Sequence, residues 1–122
     1  MFEQFVAEVL DSLPEKFGKK LQNVAVIVED WPNTHHLLAG KVKPGMTLFG
    51  LYEGVPQTKR GQYMAVLPDK ISIFAGPILM AVGENVIEIR KQIRRTVLHE
   101  IGHHFGMNEK EIRDAQGDIM PV

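Results

Sequence analysis

Residues 96–106 read TVLHEIGHHFG, a short span that holds three histidines, a glutamate and two glycines. Upstream of it Val86, Ile89, Ile93, Val97 and Ile101 recur at helical spacing. Asn85, with Glu88 three residues later, has the form of a capping box, so the pattern predicts one helix that starts at Asn85 and stops at Gly106. At about 100° and about 1.5 Å per residue, His99 and His103 stand about 40° apart around the axis and about 6 Å apart along it. With Val86 at zero, the apolar residues fall within roughly 60° of it, and the two histidines lie near roughly 220° and 260°. Both imidazoles therefore point away from the core stripe and can meet at one point. Glu100 falls near roughly 320°, at the edge of the stripe on the side of His103, where a carboxylate with no task is costly.

This is the HExxH arrangement. Two imidazoles one turn apart suit a divalent cation, and the glutamate beside them can serve as a base without being a ligand. With 5 histidines in the chain, the pentapeptide is expected by chance only roughly 0.016 times, so coincidence explains it poorly. The bland alternative is a solvated helix face. Zinc needs a third protein ligand and keeps a fourth position open for water. The chain has no cysteine, so that ligand must offer nitrogen or oxygen. Glu109 is the first candidate, because Gly106 can take a left-handed conformation that ends the helix and lets the chain turn back. A carboxylate at 109 is also favoured by the start of a following helix, so Glu111, Asp114 and Asp118 stand behind it. Glu111 reads first as the far half of a second Asn-to-Glu cap that opens at Asn108.

Other polar residues carry structural readings. His104 falls on the apolar stripe, as a hydrogen-bonded core histidine would. His35 and His36 lie in a predicted loop and read as solvated. Tyr52, in a strand pattern, reads as packing. The RKQIRR run at 90–95 reads as a charged helix surface, with contact to an acidic partner as the lesser alternative.

Working outward, Phe2, Phe5, Val6, Val9, Leu10 and Leu13 predict an amphipathic first helix ending near Gly18. VAVIV at 24–28 is a short β-branched run and predicts a buried strand closed by Trp31 and Pro32. Residues 32–45 read as loop, 46–54 as a second strand and 55–61 as a polar connection. YMAVL at 63–67 and KISIFAG at 70–76 flank Pro68 and Asp69 and predict a hairpin. EKEIRDA, from Glu109, is a short last helix. The expectation is one domain over 1–122 with three or four short strands.

The net charge of -1 and the scattered basic residues argue against nucleic acid as a partner. No apolar run is long enough to cross a bilayer, and the N-terminus lacks the pattern of a signal peptide, so a cytoplasmic protein with no membrane partner is expected.

Through TVLHEIGHHFGMNEKEI, and upstream through GLYEGVPQTKRG and KISIFAGPIL, the chain resembles the small bacterial zincin-like metallopeptidases over roughly residues 46–115. The resemblance implies an α+β minimal zincin, with a small mixed β-sheet packed on an N-terminal helix and an active-site helix. It further implies Zn2+ held by His99, His103 and Glu109, with Glu100 as general base. The implied activity is hydrolysis of a peptide or protein substrate. Where metzincins carry a third histidine this chain has Glu109, and Met120 before Pro121 only faintly resembles their methionine turn. A substrate strand is expected to add to a sheet edge within 64–75. The rival reading is a metal-binding zincin scaffold that recognises a peptide or protein partner without cutting it.

Overall fold

In a computed structural model, residues 2–43, 45–54, 69–107 and 110–114 are described, with the side chains of Lys16 and His103 outside that description. The elements in order are helices α1 (Phe2–Ser12) and α2 (Glu15–Lys20), strand β1 (Val24–Glu29), helix α3 (Thr34–Ala39), strands β2 (Gly50–Glu53) and β3 (Asp69–Phe74), and helices α4 (Ala75–Val82) and α5 (Val86–His104). A further helical turn covers 110–114. The architecture is α+β, a three-stranded mixed sheet with helices packed against it. No helix among the described residues is long and apolar enough to cross a membrane.

The sheet order is β1-β3-β2, with β1 parallel to β3 and β2 antiparallel to it. β3 is therefore central. Within the expected docking segment 64–75, Lys70–Ile73 is paired on both sides and offers no free edge, while 64–68 lies outside the described residues. The expected first arm of the hairpin, 63–67, lies outside the described residues, as does the whole polar connection 55–61. Of the expected strand 46–54 only Gly50–Glu53 pairs.

The core lies between the sheet, α1 and α5. Val6 and Val9 of α1, Phe17 of α2, Ile71 and Ile73 of β3 and Ile78 of α4 meet Ile89, Ile93, Val97, Leu98 and Ile101 of α5. Burying each such side chain contributes about 1.5–3 kcal/mol, which fixes the rotation of α5 about its axis. Val86, expected on the same stripe, is 40% exposed because the stripe overruns the core at its N-terminal end.

Three local expectations fail for identifiable reasons. The first helix does not run to Gly18: Pro14 lacks an N–H and pushes Leu13 out of helical geometry, so the chain breaks there and restarts as α2. Residues 32–45 are not all loop. Asn33 caps α3, its Oδ1 accepting from His36 N at 2.9 Å while Asn33 N donates to His36 Nδ1 at 3.0 Å. His36 fills the capping-box position usually held by Glu or Gln, and it is buried against Phe74 with its Nε2 3.3 Å from Glu29. KISIFAG is strand only to Phe74; Ala75 and Gly76 open α4, and Pro77 is tolerated in its first turn. Trp31 lies across Gly76 so closely that a Cβ there would come within 2.4 Å of the indole.

Candidate active site

Helix α5 begins as its sequence requires, with Glu88 N donating to Asn85 Oδ1 at 3.1 Å. Its apolar face is sunk in the core, and the face that includes Thr96 and Glu100 meets β2. Contact there is close because Gly50 has no side chain. A Cβ at Gly50 would lie 2.5 Å from Thr96 Cγ2 and 3.0 Å from Ser72 O. Thr96 is itself buried and donates to Gln92 O at 2.8 Å, while Gln92 Nε2 donates to Thr96 Oγ1 at 3.2 Å.

The register of β2 decides what its side away from β3 offers. Phe74 N donates to Phe49 O at 2.9 Å, so Phe49 and Phe74 form a hydrogen-bonded pair of the antiparallel ladder. Alternation then makes Gly50–Ile73 and Tyr52–Ile71 the non-hydrogen-bonded pairs, whose β2 backbone groups point away from β3. Glu100 takes one of these outward groups: Tyr52 N donates to Glu100 Oε1 at 2.9 Å. The glutamate of HExxH is thereby fastened to β2, the outer strand among the described residues, which accounts for a carboxylate at the margin of the apolar stripe.

Tyr52 does more than pack. Its hydroxyl donates to Asp69 Oδ2 at 2.8 Å, and its ring stacks on His104 with centroids 3.8 Å apart and planes 17° apart. His104 Nε2 lies 3.8 Å from Asp69 Oδ2. The expectation of a core histidine at 104 is therefore wrong. The core beneath the stripe ends with the sheet, so the last turn of α5 meets Tyr52 and Asp69 at the surface, and His104 is 38% exposed. His35 is exposed, as expected, with Nε2 2.9 Å from Glu53 Oε2, but it sits on a helix.

His99 is exposed and opens onto a groove of about 390 Å³. Thr47, Leu48, Phe49 and Gly50 form one side, and Gln92, Arg95, Thr96, His99 and Glu100 form the other. His103 lies on the same helix one turn beyond His99, but its side chain, all of Glu109 and all of Asp118 lie outside the described residues. Glu111 lines a different cavity, with Phe17, Lys20, Phe105, Gly106 and Met107, and Asp114 is exposed. Among the described residues no three histidine, cysteine, aspartate or glutamate side chains form a group that could hold a metal ion.

Beyond α5 the chain turns back. Gly106 has φ 77°, Met107 N donates to Gly102 O at 2.8 Å, and together they make a Schellman-type helix end. Ile112, 2% exposed, then seats on Gly102: a Cβ at Gly102 would come 2.6 Å from Ile112 Cγ1. The glycine inside HEIGH is thus the place where the returning segment packs on the helix.

The sequence profile of the zincin-like metallopeptidases matches residues 21–118. The chain belongs to that family. Among solved structures this zincin-like chain is similar to a conserved hypothetical protein from "Thermo thermophilus", at 26% identity and a TM-score of 0.57 over 86% of this chain and 91% of that one. No curated protein matches it significantly.

Arg95, Gln92, Thr96 and the 47–50 segment line the groove, a place the sequence reading did not give them. For the helical ones a signal existed. They precede His99 by four, seven and three positions, which places them on the same side of the helix.

Proposed function

We propose that the chain is a zinc-dependent peptidase in which His99, His103 and Glu109 hold the metal and Glu100 is the general base. The observation that carries this reading is Glu100 anchored by Tyr52 N–H beside an exposed His99, both facing one open groove at a sheet edge. Imidazole and carboxylate donors suit zinc, and a groove open to solvent leaves room for a water or a substrate carbonyl. When bound, zinc lowers the pKa of its water and polarises the scissile carbonyl. Glu100 accepts the proton of the attacking water and returns it to the leaving amine. The Tyr52 N–H bond to Oε1 restricts rotation of that carboxylate and keeps it at the strand edge. Gly50, whose backbone groups point away from β3, offers an extended peptide a place to pair on β2, whereas Lys70–Ile73 of β3 is already paired on both sides. Glu109 is assigned as the third ligand on the HExxHxxGxxE pattern, and the described turn at Gly106 together with Ile112 seated on Gly102 is consistent with a ligand from the segment that follows α5.

The test is elemental analysis and zinc titration of the wild type and of the His99→Ala, His103→Ala and Glu109→Ala variants, with a peptide-library cleavage assay alongside. Zinc uptake near one per chain, lost in each variant, and zinc-dependent product are expected. Unchanged uptake in His99→Ala or His103→Ala refutes the site. Bound zinc without product from any peptide replaces hydrolysis by the scaffold reading.

A further inference from the structure

The groove beside His99 has an asymmetry of charge that peptide hydrolysis alone does not use. Among its described lining residues Arg95 carries the one permanent positive charge, and the one carboxylate, Glu100, is already engaged by Tyr52 N–H. Arg95 is exposed and sits four residues before His99, about 6 Å away along the helix axis. Two other cations of the same RKQIRR run have acidic partners: Arg90 pairs with Glu8 at 2.6 Å and Lys91 lies 3.7 Å from Glu88. Arg94 and Arg95 have no ion pair among the described residues, and of the two only Arg95 lines the groove. Its polar neighbours in the groove, Gln92 and Thr96, are hydrogen-bonded to each other and do not compete for it. The run read as a solvated helix face therefore holds one cation turned into the groove.

We propose that Arg95 is the specificity-determining residue of this groove and selects peptides that carry a carboxylate, on an acidic side chain or at the C-terminus, about two residues from the bond to be cut. The spacing follows from the geometry: about 6 Å along α5 corresponds to about two residues of extended peptide at about 3.3 Å each. A planar guanidinium binds a carboxylate through two parallel N–H···O bonds, which a neutral amide cannot reproduce. The site of cleavage rests on the hydrolytic reading above, whereas the preference for carboxylate is a property of binding and is measured separately.

The test uses fluorescein-labelled peptides of matched length on the full chain with zinc added. Acidic, neutral and basic residues are varied about a fixed centre, each peptide with a free or an amidated C-terminus. Binding is read by anisotropy and cleavage by mass spectrometry, for wild type, Arg95→Gln and Arg95→Glu. Carboxylate-bearing peptides should bind the wild type about five- to tenfold more tightly than neutral amidated ones, since the pair is partly solvated. That preference should shrink as salt is raised, vanish in Arg95→Gln and invert towards lysine-bearing peptides in Arg95→Glu. A preference that survives amidation assigns the carboxylate to a side chain, and one lost on amidation assigns it to the terminus. Equal binding of all peptides by the wild type, no binding of any, or a preference retained in Arg95→Glu overturns the proposal. Charge-selective binding without product keeps Arg95 and removes hydrolysis, and product without charge selectivity does the reverse.

Discussion

The two faces of α5 are held by different physics. Towards the core, Ile89, Ile93, Val97 and Ile101 pack among aliphatic side chains from α1, α4 and the sheet, and the attraction there has no direction. Towards β2, the contact includes a glycine pressed on Thr96 and a directional hydrogen bond from Tyr52 N to Glu100 Oε1. The first face decides where the helix lies. The second decides what one carboxylate on it can do. Damage to the packed face should appear as lost stability, and damage to the other face as lost chemistry with the fold kept.

Glu100→Gln gives the sharpest separation. The glutamine oxygen can still accept from Tyr52 N–H, so zinc uptake and the thermal midpoint should stay as in the wild type, while peptide cleavage falls about 10³-fold, or about 4 kcal/mol of barrier. Wild-type rates from this variant would end the assignment of Glu100 as base. Ile93→Ala is the converse: it empties a fully buried position and should lower unfolding free energy by about 3 kcal/mol in urea titrations. If zinc affinity at temperatures where this variant remains folded falls as well, the two faces are not separable.

Gly50→Ala tests the seam between them. Its methyl meets Thr96 Cγ2 at 2.5 Å and the Ser72 carbonyl at 3.0 Å, so the strand must lift from the helix at a cost of about 2 kcal/mol, and the Tyr52–Glu100 bond should loosen with it. A drop in thermal stability together with a drop in cleavage rate is expected; normal values of both would mean that the close approach is not required. Asn33→Ala gives the smallest effect. It removes the cap of α3, far from α5 in sequence, and should cost about 1 kcal/mol in thermal unfolding with zinc uptake unaltered.

The face with a period was legible in the sequence and the face without one was not. Ile89, Ile93, Val97 and Ile101 repeat at helical spacing, so α5, its cap at Asn85 and its stop at Gly106 could all be read from the residues alone. Pairing between β2 and β3 depends on segments separated by a long connection, and nothing local signals which strand becomes central. The same is true of Glu100. Its place at the stripe's margin was visible, but its partner is a backbone amide 48 residues earlier. His36 misled because a capping box is recognised by Glu or Gln, and imidazole satisfied the same backbone group. His104 misled because the stripe was extended one turn past the core that buries it. KISIFAG misled at its end because its strand pattern runs on into Ala75 and Gly76, which open α4 with Trp31 packed on Gly76.

The bond between Tyr52 and Glu100 also sets a rule for whatever docks on β2. A visiting strand that extends its ladder as far as Tyr52 must contend with the Glu100 carboxylate for one backbone proton. A shorter visitor, paired at Gly50 alone, leaves the glutamate moored. Occupancy of β2 and freedom of the Glu100 carboxylate are consequently coupled through that amide hydrogen.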